Sequence, residues 1–283
     1  MMKIGIMQGR LLPPLEGQFQ CFPRDGWAEE FPRAKQAGLS AIEWIYDLYG
    51  ANVNPLATDE GIEKIKFLSA EHNIKIRSLC ADYFMDKPLL RVSAVEKQNR
   101  IEQLCWLLQR CRLLPINHIV LPFVDISKIE SPAEVKEVAE IIGSVVEVAA
   151  DAAIELHLET SLPPEEFATL LRMISHPSVK VNYDSGNSAS LGYNVRDEFH
   201  AYGERIGSVH IKDRIRGGGT VPLGSGDADL PALFDELKKV GYLGEFILQV
   251  ARGTEGEEVA WIRQNRDYVQ KHWLNQIKPE FLR

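Results

Sequence analysis

The sequence predicts an α/β chain folded as a (β/α)₈ TIM barrel, on three observations. Short runs rich in Ile and Val alternate with longer segments of helical period. Eight such runs can be counted, and the turn after the first of them lacks a phosphate-binding glycine pattern. The runs are Lys3–Gln8, Ala41–Tyr46, Ile74–Cys80, Ile116–Pro122, Ala153–Glu159, Val179–Asp184, Gly207–Lys212 and Glu245–Val250. Regular alternation with helices implies parallel strands joined by crossover helices. An open doubly wound sheet would show GxGxxG after its first strand, whereas here the turn reads Met7-Gln8-Gly9-Arg10-Leu11. The closed barrel is therefore expected, and no linker or low-complexity tract divides residues 1–283, which are read as one domain.

The helical segments carry their own punctuation. Asp25–Ala37 stops at Gly38, and Val92–Leu114 places Trp106 and several leucines at three- and four-residue spacing. Ser131-Pro132 with Glu134 opens a helix over Ala133–Asp151 by a cap, a proline and an early acid. Leu162-Pro163-Pro164-Glu165 and Leu230-Pro231 open two more, and Glu255–His272 closes the chain. Trp106 and Trp261 fall in these helices and Trp273 just past the last, as packing residues or as an interface in a homo-oligomer.

Composition narrows the function classes. A hydrophobic share of 45% and a charged share of 25% are those of a soluble globular protein with a large core. A formal charge of −8 without a basic run argues against nucleic acid as a partner. Cys21, Cys80, Cys105 and Cys111 form no CxxC pair, and free thiols suit a reducing, cytoplasmic location. The apolar part of Met1 to Arg10 is too short for a signal peptide. Ile141 to Leu158 is broken by Glu147, Asp151 and Glu155, so no membrane span is expected.

Barrel active sites lie at the carboxyl ends of the strands. The last four runs carry Glu159, Asp184, His210 and Gln249 at or near their carboxyl ends. Neighbouring strands lie about 4.8 Å apart, so groups closing consecutive strands can converge on one ion. Carboxylate, imidazole and amide oxygen together suit a divalent metal ion, whether Mn²⁺, Zn²⁺, Mg²⁺ or Co²⁺. Each residue also has a plain structural reading. Glu159 can be a surface cap, the Asp184-Ser185-Gly186-Asn187 tract a turn, and His210 a hydrogen-bonded core histidine. Their coincidence on successive strand ends favours the metal. His157, two residues before Glu159, faces the same side one layer deeper, and Glu155 falls nearer the barrel floor.

The tracts Leu156-His157-Leu158-Glu159-Thr160, Asn182-Tyr183-Asp184-Ser185-Gly186-Asn187 and Val209-His210-Ile211-Lys212-Asp213 resemble the xylose isomerase-like sugar phosphate isomerase/epimerase superfamily. Val221-Pro222-Leu223-Gly224-Ser225-Gly226 and Gly241-Tyr242-Leu243-Gly244 extend the likeness, which is greatest to L-xylulose (L-ribulose) 5-phosphate 3-epimerases. The resemblance implies a TIM barrel holding one divalent ion by Glu, Asp, His and Glu, acting on a small sugar or sugar phosphate. It places Glu159, Asp184 and His210 as ligands, with Glu159 also the catalytic base, and puts Gln249 where the family has its second glutamate. Substrate contacts are expected from Glu43, His157, Asn187, Lys212 and Arg216. Metal-dependent endonucleases of the same superfamily draw extra histidines from several strand ends, and here the seven histidines lie mostly elsewhere.

A divalent ion bound to a ketose carbonyl and the adjacent hydroxyl acidifies the C–H between them and stabilises an enediolate. Inversion then needs a second acid on the opposite face, and the neutral Gln249 cannot exchange protons. Three readings follow: a one-base isomerase, dehydratase or lyase; an enzyme with another acid, such as Asp213, Glu43 or those at Glu255–Glu258; or a sugar-binding barrel without turnover. The Lys212–Gly219 loop, with Arg214 and Arg216, and Arg252-Gly253 are candidate anion contacts or plain surface. The long first loop from Gln8 to Arg24 is read as a lid or a pocket wall. Trp27, Trp44, Tyr46 and Tyr83 are read as stacking faces for a sugar or as core.

Overall fold

A computed structural model describes residues 2–275. Its main sheet closes from β1 (Ile4–Met7), β2 (Ala41–Ile45), β3 (Ser78–Cys80), β4 (His118–Phe123), β5 (Glu155–Thr160), β6 (Val179–Asp184) and β7 (Ile206–Ile211). A small antiparallel hairpin, β8 (Asp213–Arg214) with β9 (Thr220–Val221), precedes the last barrel strand, β10 (Phe246–Leu248). All eight barrel strands are parallel, in chain order, and β10 pairs with β1 to complete the barrel. The predicted closed barrel is therefore the observed one. The outer ring closes as well, the last helix (Glu258–Asn275) packing on the first (Glu30–Ala37).

Alternation along the strands positions the site. Leu156 and Leu158 are fully buried in the hydrophobic core, and alternating with them His157 and Glu159 turn inward. The inward residues of the next two strands repeat this, Asn182 and Asp184 on β6 and Ser208 and His210 on β7. Register aligns them in layers, Asn182 opposite Ser208 and Asp184 opposite His210. Near the barrel floor Glu155 meets Lys180 at 2.8 Å and His157 stacks on His118 at 4.2 Å, beside a cavity of about 310 Å³.

Several boundaries differ from expectation for local reasons. The third strand is shorter than Ile74–Cys80, because only Ala41–Lys75 bridges outside Ser78–Cys80. The first helix begins at Glu30 rather than Asp25, with Pro32 in its first turn, where amide N–H groups have no helical partner. Ser131 caps Pro132–Asp151 as expected. Asp184 caps a short helix, Ser185–Leu191, so the Asp-Ser-Gly-Asn tract is a strand end running into a helix. The glycine-rich loop after β7 is folded into the β8–β9 hairpin. Trp44 is fully buried against Phe22 and Trp27, and Tyr46 is buried, so both are core. Cys21, Cys80 and Cys111 are buried free thiols. Among the described residues no helix is long and apolar enough to cross a membrane.

Glu30 supplies a stability prediction. It is fully buried, and its Oε1 accepts from the Gly9 N–H at 2.7 Å, while Oε2 has no partner. Burial pushes its carboxyl up from 4.5 to about 8. Between those values the folded chain keeps a proton that the unfolded chain releases, so stability falls as pH rises across that window. Thermal unfolding over this range should show Glu30→Gln losing less Tm with rising pH than the parent; parallel profiles would refute the assignment.

Candidate active site

Glu159, Asp184 and His210 converge, each offering one ligand atom, with those atoms within 4.8 Å of one another. Consecutive strands bring them there: Asp184 and His210 are register partners, and Glu159 lies one strand further along. His210 Nδ1 stands 3.6 Å from Glu159 Oε2 and 3.8 Å from Asp184 Oδ2. Its other nitrogen, Nε2, is 2.6 Å from Glu43 Oε1, and both side chains are fully buried. Glu43 on Nε2 leaves Nδ1 facing the two carboxylates, with Asn182 Nδ2 3.1 Å away, an arrangement that orients a histidine toward a metal, which would take the place of the Nδ1 proton.

The Glu159 carboxylate is held on both oxygens. Asn182 Nδ2 donates to Oε2 at 2.7 Å, and Asn187 Nδ2 donates to Oε1 at 2.6 Å. Asn182 is itself oriented by Ser208, whose hydroxyl donates to its Oδ1 at 2.6 Å. Arg214 Nη1 donates to Asn187 Oδ1 at 2.9 Å. On Asp184, Oδ1 accepts from the Asn187 N–H, while Oδ2 has no aligned hydrogen bond and lies 2.8 Å from the Lys212 ammonium. Lys212 Nζ also donates to Gln249 Oε1 at 2.7 Å.

Burial, then the Asp184 charge, raises the Glu159 carboxyl to about 7. Burial alone would raise Asp184 too, but Lys212 and His210 outweigh it and hold it well below the usual carboxylate range. For His210, burial works to lower the value, yet Glu43, Asp184 and Glu159 together lift it to about 10. Two buried acids and an inward-facing imidazole nitrogen form a donor set that fits a divalent cation.

The expected substrate contacts divide. Asn187 and Lys212 reach the cluster, Asn187 through Glu159 and Lys212 through Asp184 and Gln249. Glu43 is at the cluster but engaged with His210, which makes it a support for the imidazole rather than a free contact. His157 is buried a layer below, bonded to Ser208 at 2.8 Å and Glu155 at 3.0 Å. Arg216 is exposed, its side chain against Gly192 and its backbone N–H on Asp227, and it is Arg214 that turns inward. Asp213 is fully buried and accepts the N–H groups of Gly224, Gly226 and Ala228, so it holds the hairpin loop and is removed as a spare acid. Asn182 and Ser208 carry no motif signal of their own, although each sits two residues before a predicted ligand and so shares its face.

The first loop lies across the site as a strap. Gln20 Oε1 accepts from Gln249 Nε2 at 2.8 Å, and Gln20 Nε2 donates to Asp82 Oδ2 at 2.7 Å. Gln20 also lines a cavity of about 490 Å³ with Asp47, Tyr49, Asp82 and Asp86. No strand pattern could reveal Gln20, which lies in irregular chain far in sequence from Gln249.

A closed parallel barrel with a metal-competent cluster at its carboxyl end defines a class, and the chain belongs to the xylose isomerase-like TIM barrel family, whose model matches residues 31–272. Among curated relatives, L-ribulose-5-phosphate 3-epimerase UlaE of Escherichia coli is 23% identical over 252 residues, covering 86% of this chain and 88% of that protein. Among solved structures, the IolI protein with a bound zinc atom aligns with a TM-score of 0.76 at 18% identity, covering 96% of this chain and 99% of that one. D-psicose 3-epimerase from Clostridium cellulolyticum H10 aligns with a TM-score of 0.75 at 16% identity, over 96% and 99% of the two chains. These structural likenesses establish the shared fold.

Proposed function

We propose that this protein is a divalent-metal-dependent sugar or sugar phosphate isomerase/epimerase in which Glu159 is the catalytic base. The observation that carries this reading is the convergence of Glu159, Asp184 and His210 on one point at the carboxyl end of the barrel. A divalent ion there would polarise a ketose carbonyl and its neighbouring hydroxyl and stabilise the charge of an enediolate. Glu159, Asp184 and His210 Nδ1 would hold it. Buried and beside Asp184, Glu159 has its carboxyl raised toward neutrality, which suits it to take and return a proton. Asn182 and Asn187 hold its two oxygens in place. The relation to an epimerase supports the substrate class.

Gln249 stands where the family resemblance puts the second glutamate, and its oxygen accepts from Lys212. A neutral amide cannot shuttle a proton, so the reading is one of one-base chemistry on Glu159, or of proton return by another group. With Asp213 holding the hairpin loop and Glu43 paired with His210, the Lys212 ammonium is a proton-bearing group beside Gln249. Restoring the charge tests this. Gln249→Glu should tighten Mn²⁺ binding about tenfold by adding a carboxylate near the ion, and should increase 3-epimerase turnover on a ketopentose phosphate. Unchanged Mn²⁺ affinity by calorimetry would place residue 249 outside the ion's reach.

A further inference from the structure

Just past β10, the carboxamide of Gln249 is gripped at both ends. Its Oε1 accepts from the Lys212 ammonium at 2.7 Å, and Lys212 Nζ lies 2.8 Å from Asp184 Oδ2. Its Nε2 donates to Gln20 Oε1 at 2.8 Å. The carboxamide of Gln20 is gripped as well. Its Oε1 accepts from a second donor, Arg10 Nη2, at 3.0 Å, and its Nε2 donates to Asp82 Oδ2 at 2.7 Å. The Cys80 thiol donates to the other Asp82 oxygen at 3.1 Å. Gln249, Lys212, Arg10 and Asp82 are all buried, and Gln20 is half-buried.

These hydrogen bonds run in one direction, from the Lys212 ammonium through two amides to the Asp82 carboxylate. An ammonium only donates and a carboxylate ion only accepts, so the charged ends decide which way each amide faces. Turning Gln249 over would set its Nε2 against the ammonium and its Oε1 against Gln20 Oε1. Turning Gln20 over would set its oxygen against Asp82 and its nitrogen against Arg10 and Gln249. Either turn leaves buried donors and acceptors facing their like, which costs more than the lost hydrogen bonds are worth.

Glutamate has nearly the shape of glutamine but carries no side-chain N–H. At position 249, one carboxylate oxygen could keep the Lys212 contact. The other would take the place of Nε2 and face Gln20 Oε1, acceptor against acceptor. Gln20 is barred from turning to meet it, because Asp82 and Arg10 hold it the other way. The resemblance that gives Glu159, Asp184 and His210 as ligands puts a glutamate at this position, so a partner on the first loop matches the chain's departure from that pattern.

We propose that Gln20 and Asp82 are positioning residues for Gln249, which select an amide over a carboxylate there and point its oxygen toward Lys212 and Asp184. The exchange of glutamate for glutamine is then a fitted part of the site, enforced by hydrogen-bond direction rather than by shape. This orientation does not depend on the sugar-enzyme reading above.

A double-mutant cycle over positions 20 and 249 tests the match, read as the Tm of the protein as purified. Gln20→Ala removes the oxygen that accepts from Gln249 and that a glutamate would oppose. It should lower the parent's Tm, and lower that of Gln249→Glu less or raise it, so that the two shifts differ by about 2 °C or more. If Gln249→Glu alone does not fold, adding Gln20→Ala should restore folding. Equal shifts in the two backgrounds, or a double variant that folds no better than Gln249→Glu, would overturn the proposal. Asp82→Ala gives a separate arm, since it frees Gln20 to turn. The Tm shift caused by Gln249→Glu should become more favourable in that background; no change would overturn the part assigned to Asp82. Calorimetry with Mn²⁺ on the same proteins keeps the two readings apart. Coupled Tm shifts without Mn²⁺ binding would count against the metal-dependent sugar reading alone.

Discussion

Glu159→Gln is expected to lower turnover about 10²- to 10⁴-fold, the range for removing a positioned general base. The substitution keeps the shape of the side chain but removes its capacity to accept a proton. It also disturbs the site in a defined way. Both carboxylate oxygens now accept from amide nitrogens, Asn182 at 2.7 Å and Asn187 at 2.6 Å, and a glutamine can present an acceptor to only one of them. The measurement is exchange of the substrate C–H for deuterium in D₂O, followed by proton NMR across ketopentoses and their 5-phosphates. Exchange reports proton abstraction even where net epimerisation is blocked by Gln249. If the variant exchanges as fast as the parent on a substrate the parent turns over, Glu159 is not the base.

Glu43→Gln is expected to weaken Zn²⁺ binding about 10- to 100-fold, although Glu43 need not touch the ion. Glu43 is fully buried and 2.6 Å from His210 Nε2, and its second oxygen has no partner. This contact keeps a proton on Nε2 and turns Nδ1 toward Glu159 and Asp184. Glutamine retains an oxygen acceptor but loses the charge that makes His210 a strong donor to a cation. Competition with a chromogenic chelator measures the affinity. On the Zn²⁺-loaded parent, nitrogen-15 NMR should find His210 protonated at Nε2 and metallated at Nδ1. Unchanged affinity, or metal at Nε2, would mean that Glu43 serves packing alone.

Both predictions depend on residues that were visible in the sequence to different degrees. Glu159, Asp184 and His210 were legible because each lies at or near the end of an apolar run, and parallel strands bring such ends together. The barrel was legible for the same reason, since alternating Ile/Val runs and amphipathic helices leave few other closed arrangements. Local rules also carried the caps at Ser131 and Gly38. Glu43 was noticed as a strand-end acid, but its role was not, because its partner lies 167 residues away. Arg214 and Arg216 could not be told apart until the hairpin turned the first toward Asn187 and left the second at the surface.

Periodicity and residue type by themselves determined the barrel, the strand ends and the three groups able to share an ion. Backbone hydrogen bonding imposes those features locally, strand by strand. Only the tertiary structure decided that Glu43 supports His210, that Asp213 holds a loop, that Lys212 meets Gln249, and that Gln20 bridges Gln249 and Asp82. Each of these contacts joins segments distant in the chain, and no local pattern encodes which distant dipole or charge a buried polar group will find.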